Sequence, residues 1–182
     1  MIDGEQATRI LAAADLIHPA ATVEAAISRL AREIGERLRD SRPVVLGVMI
    51  GGLPFAGQLL TRLNFPLDFD YLQVGRYGQA TAGSALSWRV EPSIPLAGRT
   101  VLVVDDILDE GVTLAAIHAR ILEMGAGTCR TAVLANKLHG RAKPIRADFV
   151  ALTVPDRFVF GYGMDVRGAW RNLPAIYAVR ED

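Results

Sequence analysis

Residues 103–114 read VVDDILDEGVTL, and this stretch carries the strongest structural signal in the sequence. Two valines end an apolar strand, three aspartates follow, and a glycine turn leads into a helix. Carboxylates grouped at the end of a strand repel one another unless a cation or hydroxyl groups lie above them. A glycine turn at a helix N-terminus offers backbone N–H groups and the positive end of the helix dipole to a phosphate. The stretch can therefore hold a sugar with its acids, Asp105, Asp106 and Asp109, and a phosphate with its amides.

The same spacing also fits a simpler structure. Acidic residues stabilise the first turn of a helix, and a threonine can cap it. An acidic helix N-terminus without a ligand is therefore an alternative that the spacing alone leaves open.

Outward from this stretch, buried strands alternate with helical patterns. Short apolar runs predict strands at residues 44–49, 67–72, 85–90, 100–104, 131–135 and 149–154. Apolar residues at helical spacing predict helices at 22–39, from Pro54 onward, at 112–124, and around residues 10–16. Strands of this kind belong to a mostly parallel twisted sheet flanked by helices, so the predicted class is α/β. Ligands of such sheets bind beyond the carboxyl ends of the strands.

Residues 75–83 read GRYGQATAG, a small polar stretch with three glycines. Such composition predicts a mobile segment at the surface. A flap over a binding site and a plain exposed hairpin tip fit it equally well.

The composition predicts one folded domain spanning residues 1–182. Of the 182 residues, 51% are hydrophobic and 22% are charged, which supplies a core of ordinary size. Twenty basic residues balance twenty acidic ones. No overall positive field draws the chain to nucleic acid or to acidic membranes, so we expect neither as a partner.

The single cysteine, Cys129, excludes an internal disulfide and a cysteine-rich metal site. The first ten residues, MIDGEQATRI, do not have the pattern of a secretory signal. No apolar run approaches the roughly 20 residues of a membrane-spanning helix. We therefore expect a cytoplasmic protein.

Residues 103–114 resemble the phosphoribosyl diphosphate (PRPP) motif of the type I phosphoribosyltransferases, and in particular that of the hypoxanthine-guanine enzymes. Three further pieces resemble the same family in the same order. Residues 47–56 (GVMIGGLPFA) are similar to its first loop, Asn136 and Lys137 to its purine-contacting lysine segment, and residues 155–165 (PDRFVFGYGMD) to its purine pocket. The resemblance implies the type I fold, with a small hood and a flexible hairpin flap.

On the PRPP side, the resemblance implies that Asp105 and Asp106 hold the ribose hydroxyls and help to position metal-bound water. Asp109 would be the general base toward the purine nitrogen N7. The phosphate cradle would consist of the amides of Glu110, Gly111, Val112 and Thr113, with the Thr113 hydroxyl. The pyrophosphate contacts would come from Ile50, Gly51, Gly52 and Arg171.

On the purine side, the resemblance implies that Lys137 donates to the exocyclic oxygen of a 6-oxopurine. Phe158 would stack on the base, and the backbone of Val159 would contact its edge. Asp165 would lie near the base and a Mg²⁺ ion, as a direct or water-mediated ligand, with Asp105 and Asp106 on the water side of the metal. Arg76 and Tyr77 would stand at the entry to the flap.

Taken singly, these purine-side residues have simpler explanations. Lys137 and Arg171 fit surface charges, and Phe158 fits a core aromatic. Asp165 fits a turn acid. Their positions after predicted strands favour the site.

Two positions depart from the family pattern. Ile50 stands where many relatives have a lysine, which removes a charge near pyrophosphate. Glu110 stands where relatives usually have a threonine or serine whose hydroxyl donates to the phosphate, whereas a glutamate accepts hydrogen bonds and carries like charge. We predict that the Glu110 side chain points away from the phosphate and that only its N–H takes part.

The resemblance implies a purine-salvage enzyme that makes IMP or GMP from PRPP and hypoxanthine or guanine, with Mg²⁺ as cofactor and a homodimer or homotetramer as its assembly. One alternative is a PRPP-dependent transferase for another base, such as xanthine. The other is a non-catalytic PRPP-binding regulator of nucleic acid, against which the presence of Asp109 and the neutral net charge both count.

Overall fold

The computed structural model describes residues 2–76 and 86–180. Its helices are α1 (Gly4–Ala13), α2 (Ala20–Leu38), α3 (Leu53–Leu60) and α4 (Val112–Glu123), and a 3₁₀ turn spans Arg39–Ser41. Its strands are β1 (Asp15–His18), β2 (Val44–Met49), β3 (Asp68–Arg76), β4 (Leu86–Val90), β5 (Thr100–Leu108), β6 (Thr128–Leu138), β7 (Phe149–Pro155), β8 (Val159–Phe160) and β9 (Ile176–Ala178). None of the helices in the described part of the chain has the length and hydropathy needed to cross a bilayer.

The main sheet has six strands in the order β4-β3-β2-β5-β6-β7. Every neighbouring pair from β3 to β7 is parallel, and β4 alone runs antiparallel on the β3 edge. The strand order places β2 and β5 side by side at the centre. The α/β class and the mostly parallel sheet predicted from the sequence are confirmed.

Alternate residues of the central strands enter two cores, one on each face of the sheet. Val45 of β2 and Leu102 of β5 pack with the apolar faces of α2 and α3. Val44 of β2 and Val101 of β5 pack with the apolar face of α4. Burial on both faces explains why these strands are continuous apolar runs rather than alternating ones.

A second sheet has three antiparallel strands in the order β1-β9-β8. Its residues Val159, Ile176 and Ala178 join the core beneath α2. Hydrogen bonds tie it to the rest of the molecule, since His18 Nε2 lies 2.8 Å from the Thr153 carbonyl oxygen of β7. This sheet carries the loop between β8 and β9 to the carboxyl edge of the main sheet, as expected of the hood.

The structure corrects three boundaries. The helix expected around residues 10–16 ends at Ala13, because Asp15 and Leu16 pair with β9. The strand expected at 100–104 runs on to Leu108, because its backbone stays paired with β6. Gly75 and Arg76, placed in the flap by the sequence, belong to β3, where they pair with β4. Residues 77–83 of the predicted flap lie outside the described residues.

Candidate active site

A cavity of about 710 Å³ opens at the carboxyl ends of β2 and β5. Its walls come from the end of β2 and the loop after it, from the end of β5 and the start of α4, and from the loop between β8 and β9. Among the lining residues are Ile50, Gly51, Asp105, Asp106, Asp109, Glu110, Gly111, Val112, Thr113, Asp165 and Arg171. The topology therefore brings most of the predicted PRPP and pyrophosphate residues to one place.

The turn from β5 to α4 depends on Gly111, whose φ of 81° lies in the left-handed region. A side chain there would be strained, and its Cβ would also lie 3.4 Å from the Cβ of Lys143. No side chain in the part of the chain that the structure describes caps the start of α4. The first amides of a helix have no partner within the helix, so those of α4 are free to bind an anion in the cavity.

Asp105 and Asp106 form the acidic floor of the cavity. Asp105 is only 9% exposed, and its Oδ1 accepts a hydrogen bond of 2.9 Å from the backbone N–H of Asp106. Burial raises the pKa of Asp105 well above its usual range, and the charge of Asp106 raises it further. Burial also raises the pKa of Asp106, which a hydrogen bond from Asp105 and the charge of Arg171 partly oppose. Neither carboxyl forms an ion pair within 4.0 Å with any described residue.

The loop after β2 lies directly against this floor. A Cβ on Gly51 would come within 1.9 Å of Asp106 Oδ2, so the glycine is what allows the loop and the carboxylate to approach. A Cβ on Gly52 would meet the carbonyl oxygens of Val48 and Val104 at 2.7 and 2.9 Å. The Met49–Ile50 peptide bond is cis, and the Ile50 side chain is exposed.

Across the cavity, Arg171 forms an ion pair with Asp165 and donates to the Gly163 carbonyl oxygen. The other carboxylate oxygen of Asp165 accepts from the backbone N–H of Gly168 at 2.7 Å. This loop touches the first one, since a Cβ on Gly163 would lie 1.9 Å from the Gly51 carbonyl oxygen. The guanidinium is thus held in place at the cavity wall.

Asp109 and Lys137 meet where β5 and β6 end. Lys137 Nζ lies 2.6 Å from Asp109 Oδ2, with the lysine side chain 12% exposed and the aspartate 43% exposed. This contact joins the PRPP stretch to the predicted purine side.

Two residues that the sequence analysis did not single out hold the same region. Lys143 Nζ donates to the carbonyl oxygens of Leu108 and Lys137 and to Asn136 Oδ1, at 2.9, 2.8 and 2.7 Å. Burial lowers the pKa of Lys143, which the nearby charge of Asp109 opposes. His139 Nε2 lies 3.1 Å from the Asp109 carbonyl oxygen.

Other predicted residues are not brought into this cavity. Phe158 is exposed and lines a separate cavity of about 370 Å³ beside Ile10 and Val166. Val159 is buried in β8. Arg76 is the last residue of β3, and Tyr77 lies outside the described residues. The purine contacts assigned to Phe158 and Val159 stay predictions.

Glu110 is exposed, and its side chain forms no ion pair or hydrogen bond with another described residue. That only its N–H faces the phosphate stays a prediction.

The carboxylates of the cavity are hard oxygen donors of the kind that Mg²⁺ takes. No group of three or more histidine, cysteine, aspartate or glutamate side chains within residues 2–76 and 86–180 is arranged to hold a metal ion. Asp106 and Asp165 therefore fit an ion that keeps most of its water or takes ligands from a substrate, as Mg²⁺ does.

The chain is similar in sequence and fold to known phosphoribosyltransferases. The family model described as a phosphoribosyl transferase domain matches residues 13–167. A hypoxanthine-guanine phosphoribosyltransferase of Bacillus subtilis is 33% identical over 155 residues, which cover 85% of this chain and 86% of that protein. The comparable enzyme of Streptococcus pneumoniae is 32% identical over 161 residues, covering 86% and 89%.

Solved structures agree. A hypoxanthine phosphoribosyltransferase from Staphylococcus aureus superposes with a TM-score of 0.85 at 25% identity, covering 91% of each chain. A structure described as a hypoxanthine-guanine-xanthine phosphoribosyltransferase gives a TM-score of 0.83 at 28% identity, covering 92% of this chain and 97% of the other. With the acidic stretch at the end of β5 and the open N-terminus of α4 on one cavity, these likenesses place the chain in the phosphoribosyltransferase family.

Proposed function

We propose that this protein transfers the phosphoribosyl group of PRPP to the 6-oxopurines hypoxanthine and guanine, giving IMP or GMP and pyrophosphate. The observation that carries the proposal is the arrangement of Asp109 and Lys137, 2.6 Å apart, beside a cavity with an acidic floor and a free helix N-terminus. The curated relatives named hypoxanthine-guanine phosphoribosyltransferases support it.

PRPP would lie along the β5–α4 side of the cavity. Its ribose hydroxyls would donate to Asp105 and Asp106, whose carboxyls have no cationic partner among the described residues and therefore have oxygens to offer. The 5′-phosphate would accept from the amides of residues 110–113 at the start of α4. The pyrophosphate would lie between the loop of Ile50, Gly51 and Gly52 and the guanidinium of Arg171.

The base would turn its O6–N7 edge toward Lys137 and Asp109, which lie side by side at the ends of β6 and β5. A 6-oxopurine presents an acceptor, O6, next to the ring nitrogen N7, which can carry a proton. The Lys137 ammonium would donate to O6 while the Asp109 carboxylate accepts the N7 proton as general base. Adenine presents an amino donor in place of O6 and would leave Lys137 facing another donor, which disfavours it.

Mg²⁺ would be held by Asp165, directly or through water, with Asp105 and Asp106 helping to position its bound water. When bound, the ion would neutralise charge on the pyrophosphate oxygens. The work of this chain's own residues is to hold the ribose and phosphates in line with the base and to take the proton at N7.

Nucleotide formation from PRPP tests the proposal. Purified protein is incubated with PRPP and Mg²⁺ and with hypoxanthine, guanine, xanthine or adenine in parallel, and nucleotide and pyrophosphate are quantified. We expect hypoxanthine and guanine to be converted with equal amounts of pyrophosphate released, and adenine not. No conversion of any base, together with retention on nucleic acid at physiological salt, would instead favour the non-catalytic regulator.

Xanthine is the second candidate base, because one structural relative is described as a hypoxanthine-guanine-xanthine enzyme. Xanthine has the same O6 and N7 edge as hypoxanthine, so Asp109 and Lys137 do not separate the two. Assembly as a homodimer or homotetramer and a cytoplasmic location stay predictions.

A further inference from the structure

The loop after β6 reaches back over the end of β5 and contacts the backbone on both sides of Asp109. Lys143 Nζ donates to the Leu108 carbonyl oxygen at 2.9 Å, which belongs to the peptide that precedes Asp109. His139 Nε2 lies 3.1 Å from the carbonyl oxygen of Asp109 itself. One loop therefore holds two consecutive peptide groups of the proposed general base.

The hydrogen bonds of His139 identify the tautomer of its imidazole ring. The backbone N–H of Arg141 donates to His139 Nδ1 at 3.1 Å, so this nitrogen is an acceptor and carries no proton. In the neutral ring the proton is then on Nε2, which donates to Asp109. A donor, rather than a second acceptor, thus faces the Asp109 carbonyl oxygen.

Lys143 also holds Lys137. Its ammonium donates to the Lys137 carbonyl oxygen at 2.8 Å and to Asn136 Oδ1 at 2.7 Å, so all three of its N–H bonds are used within one region. Leu108 and Asn136 are the last residues paired between β5 and β6, whereas β6 stays paired with β7 through Leu138. Beyond that point the backbones of β5 and β6 no longer bond to each other, and Lys143 joins them by donating to a carbonyl oxygen of each strand.

The charge of Lys143 is not used in an ion pair. The described residues place no carboxylate within 4.0 Å of its ammonium, and burial lowers its pKa. Holding a partly buried cation on three neutral oxygens costs desolvation that a surface tether would avoid. Arg146 is another cation of the same loop, but it is exposed and forms no hydrogen bond or ion pair with any described residue.

We propose that Lys143, assisted by His139, is a positioning residue that fixes Asp109 and Lys137 against each other, so that the acceptor for the N7 proton and the donor to O6 keep the spacing of the purine edge. The inference rests on the proposed function. Lys143 is not among the described residues that line the cavity proposed for PRPP, and it reaches Asp109 and Lys137 through the backbone of Leu108 and Lys137 and the side chain of Asn136. Small displacements of a reacting group can cost about 100-fold in rate.

The test is a double-mutant cycle on steady-state kinetics with hypoxanthine and PRPP. Lys143→Met is made in the parent and in Asp109→Asn, and Arg146→Met is the matched control that removes a cation from the same loop. We expect Lys143→Met to lower kcat roughly 10- to 100-fold with the KM for PRPP changed less than about 3-fold. In the Asp109→Asn background the same change should lower kcat by a clearly smaller factor, because Lys137 is then the only catalytic partner left to position.

A merely structural lysine gives a different result. Lys143→Met would then lower kcat by the same factor with and without Asp109, or raise both KM values with kcat unchanged, and either outcome overturns the inference. If Lys143→Met does not fold, His139→Leu is tested in the same double-mutant cycle. We expect a smaller loss of kcat that again depends on Asp109. A loss of kcat that is the same with and without Asp109 would overturn the inference. An inactive parent would refute the proposed function instead, which keeps the two failures distinct.

Discussion

The two sides of the cavity hold their charges in opposite ways. On the β5 side, Asp105 and Asp106 lie next to each other, are desolvated, and have raised pKa values. On the other side, Asp165 is paired with Arg171 and bonded to the Gly168 N–H. The first side is costly in the free protein and is satisfied by a ligand that brings hydroxyls or a cation. The second is already organised before anything binds.

This contrast separates binding from stability. Residues whose charges are paired within the protein support the fold, whereas residues that wait for a ligand weaken it. Substitution of the acids on the β5 side should therefore weaken function and increase the free energy of unfolding.

The largest effect is expected at Asp109, which lies on the β5 side and forms an ion pair with Lys137 at the end of β6. Asp109→Asn removes the acceptor for the N7 proton and should lower kcat for hypoxanthine by about 100- to 10,000-fold. The matched control is Asp40→Asn, an exposed aspartate in the 3₁₀ turn after α2. Equal kcat for Asp109→Asn and Asp40→Asn in steady-state assays would show that Asp109 is not the base.

A second effect tests the close approach of the first loop to the acidic floor. In Gly51→Ala the new Cβ would lie 1.9 Å from Asp106 Oδ2, so the carboxylate must move away from the ribose. Losing one charged hydrogen bond should raise the KM for PRPP roughly tenfold. Gly57→Ala is the control, because nothing lies within 4 Å of its Cβ position. A Gly51→Ala enzyme with the parent's KM would mean that Asp106 does not contact PRPP.

The third prediction concerns pH and stability. Because burial raises the native pKa of Asp105, the free energy of unfolding falls as pH rises from its unfolded pKa toward the raised native one. Asp105→Asn removes this penalty. Without ligands and with EDTA, we expect its Tm at pH 8 to exceed the parent's by about 2–4 °C for each kcal/mol relieved.

The difference in Tm should shrink as the pH falls toward the unfolded pKa of Asp105, because the penalty is lost below that pKa. The measurement is thermal unfolding of both proteins from pH 4 to pH 8. A variant less stable than the parent at pH 8 would show that Asp105 has a structural partner instead of waiting for one.

The smallest effect is expected at Glu110, where only the backbone N–H is assigned to the phosphate. Glu110→Thr should change the affinity for PRPP by less than about 3-fold, because the exposed side chain forms no hydrogen bond or ion pair with a described residue that could be lost. Its dissociation constant can be measured by calorimetry. Binding several-fold weaker than in the parent would contradict a side chain that points away from the phosphate.

The β5 side could be predicted from the sequence because its residues follow one another along the chain. The acids, the glycine and the helix start occupy residues 105–113 in order, and the apolar strand before them shows where they lie in a parallel sheet. Even here the strand was predicted to end too early, because β5 stays paired with β6 past Asp105 and Asp106 as far as Leu108.

The other side could be predicted only in part. Asp165 and Arg171 were identified through the family resemblance, whereas the sheet that carries their loop was missed. Its strands β1, β8 and β9 have four, two and three residues, too few to show a periodic pattern. Lys143 was missed because it lies among other cations in one loop, and only the tertiary fold distinguishes it from Arg146.

Calorimetric titration of PRPP with Mg²⁺ shows whether Asp105 and Asp106 form the ribose site, when the parent is compared with the double variant Asp105→Asn/Asp106→Asn and the control Asp40→Asn. We expect one PRPP site per chain in the parent and the control. In the double variant the affinity should fall at least about 100-fold, because two charged hydrogen bonds are lost, while the protein remains folded. A double variant that binds PRPP as tightly as the parent would show that the acidic floor is not the ribose site.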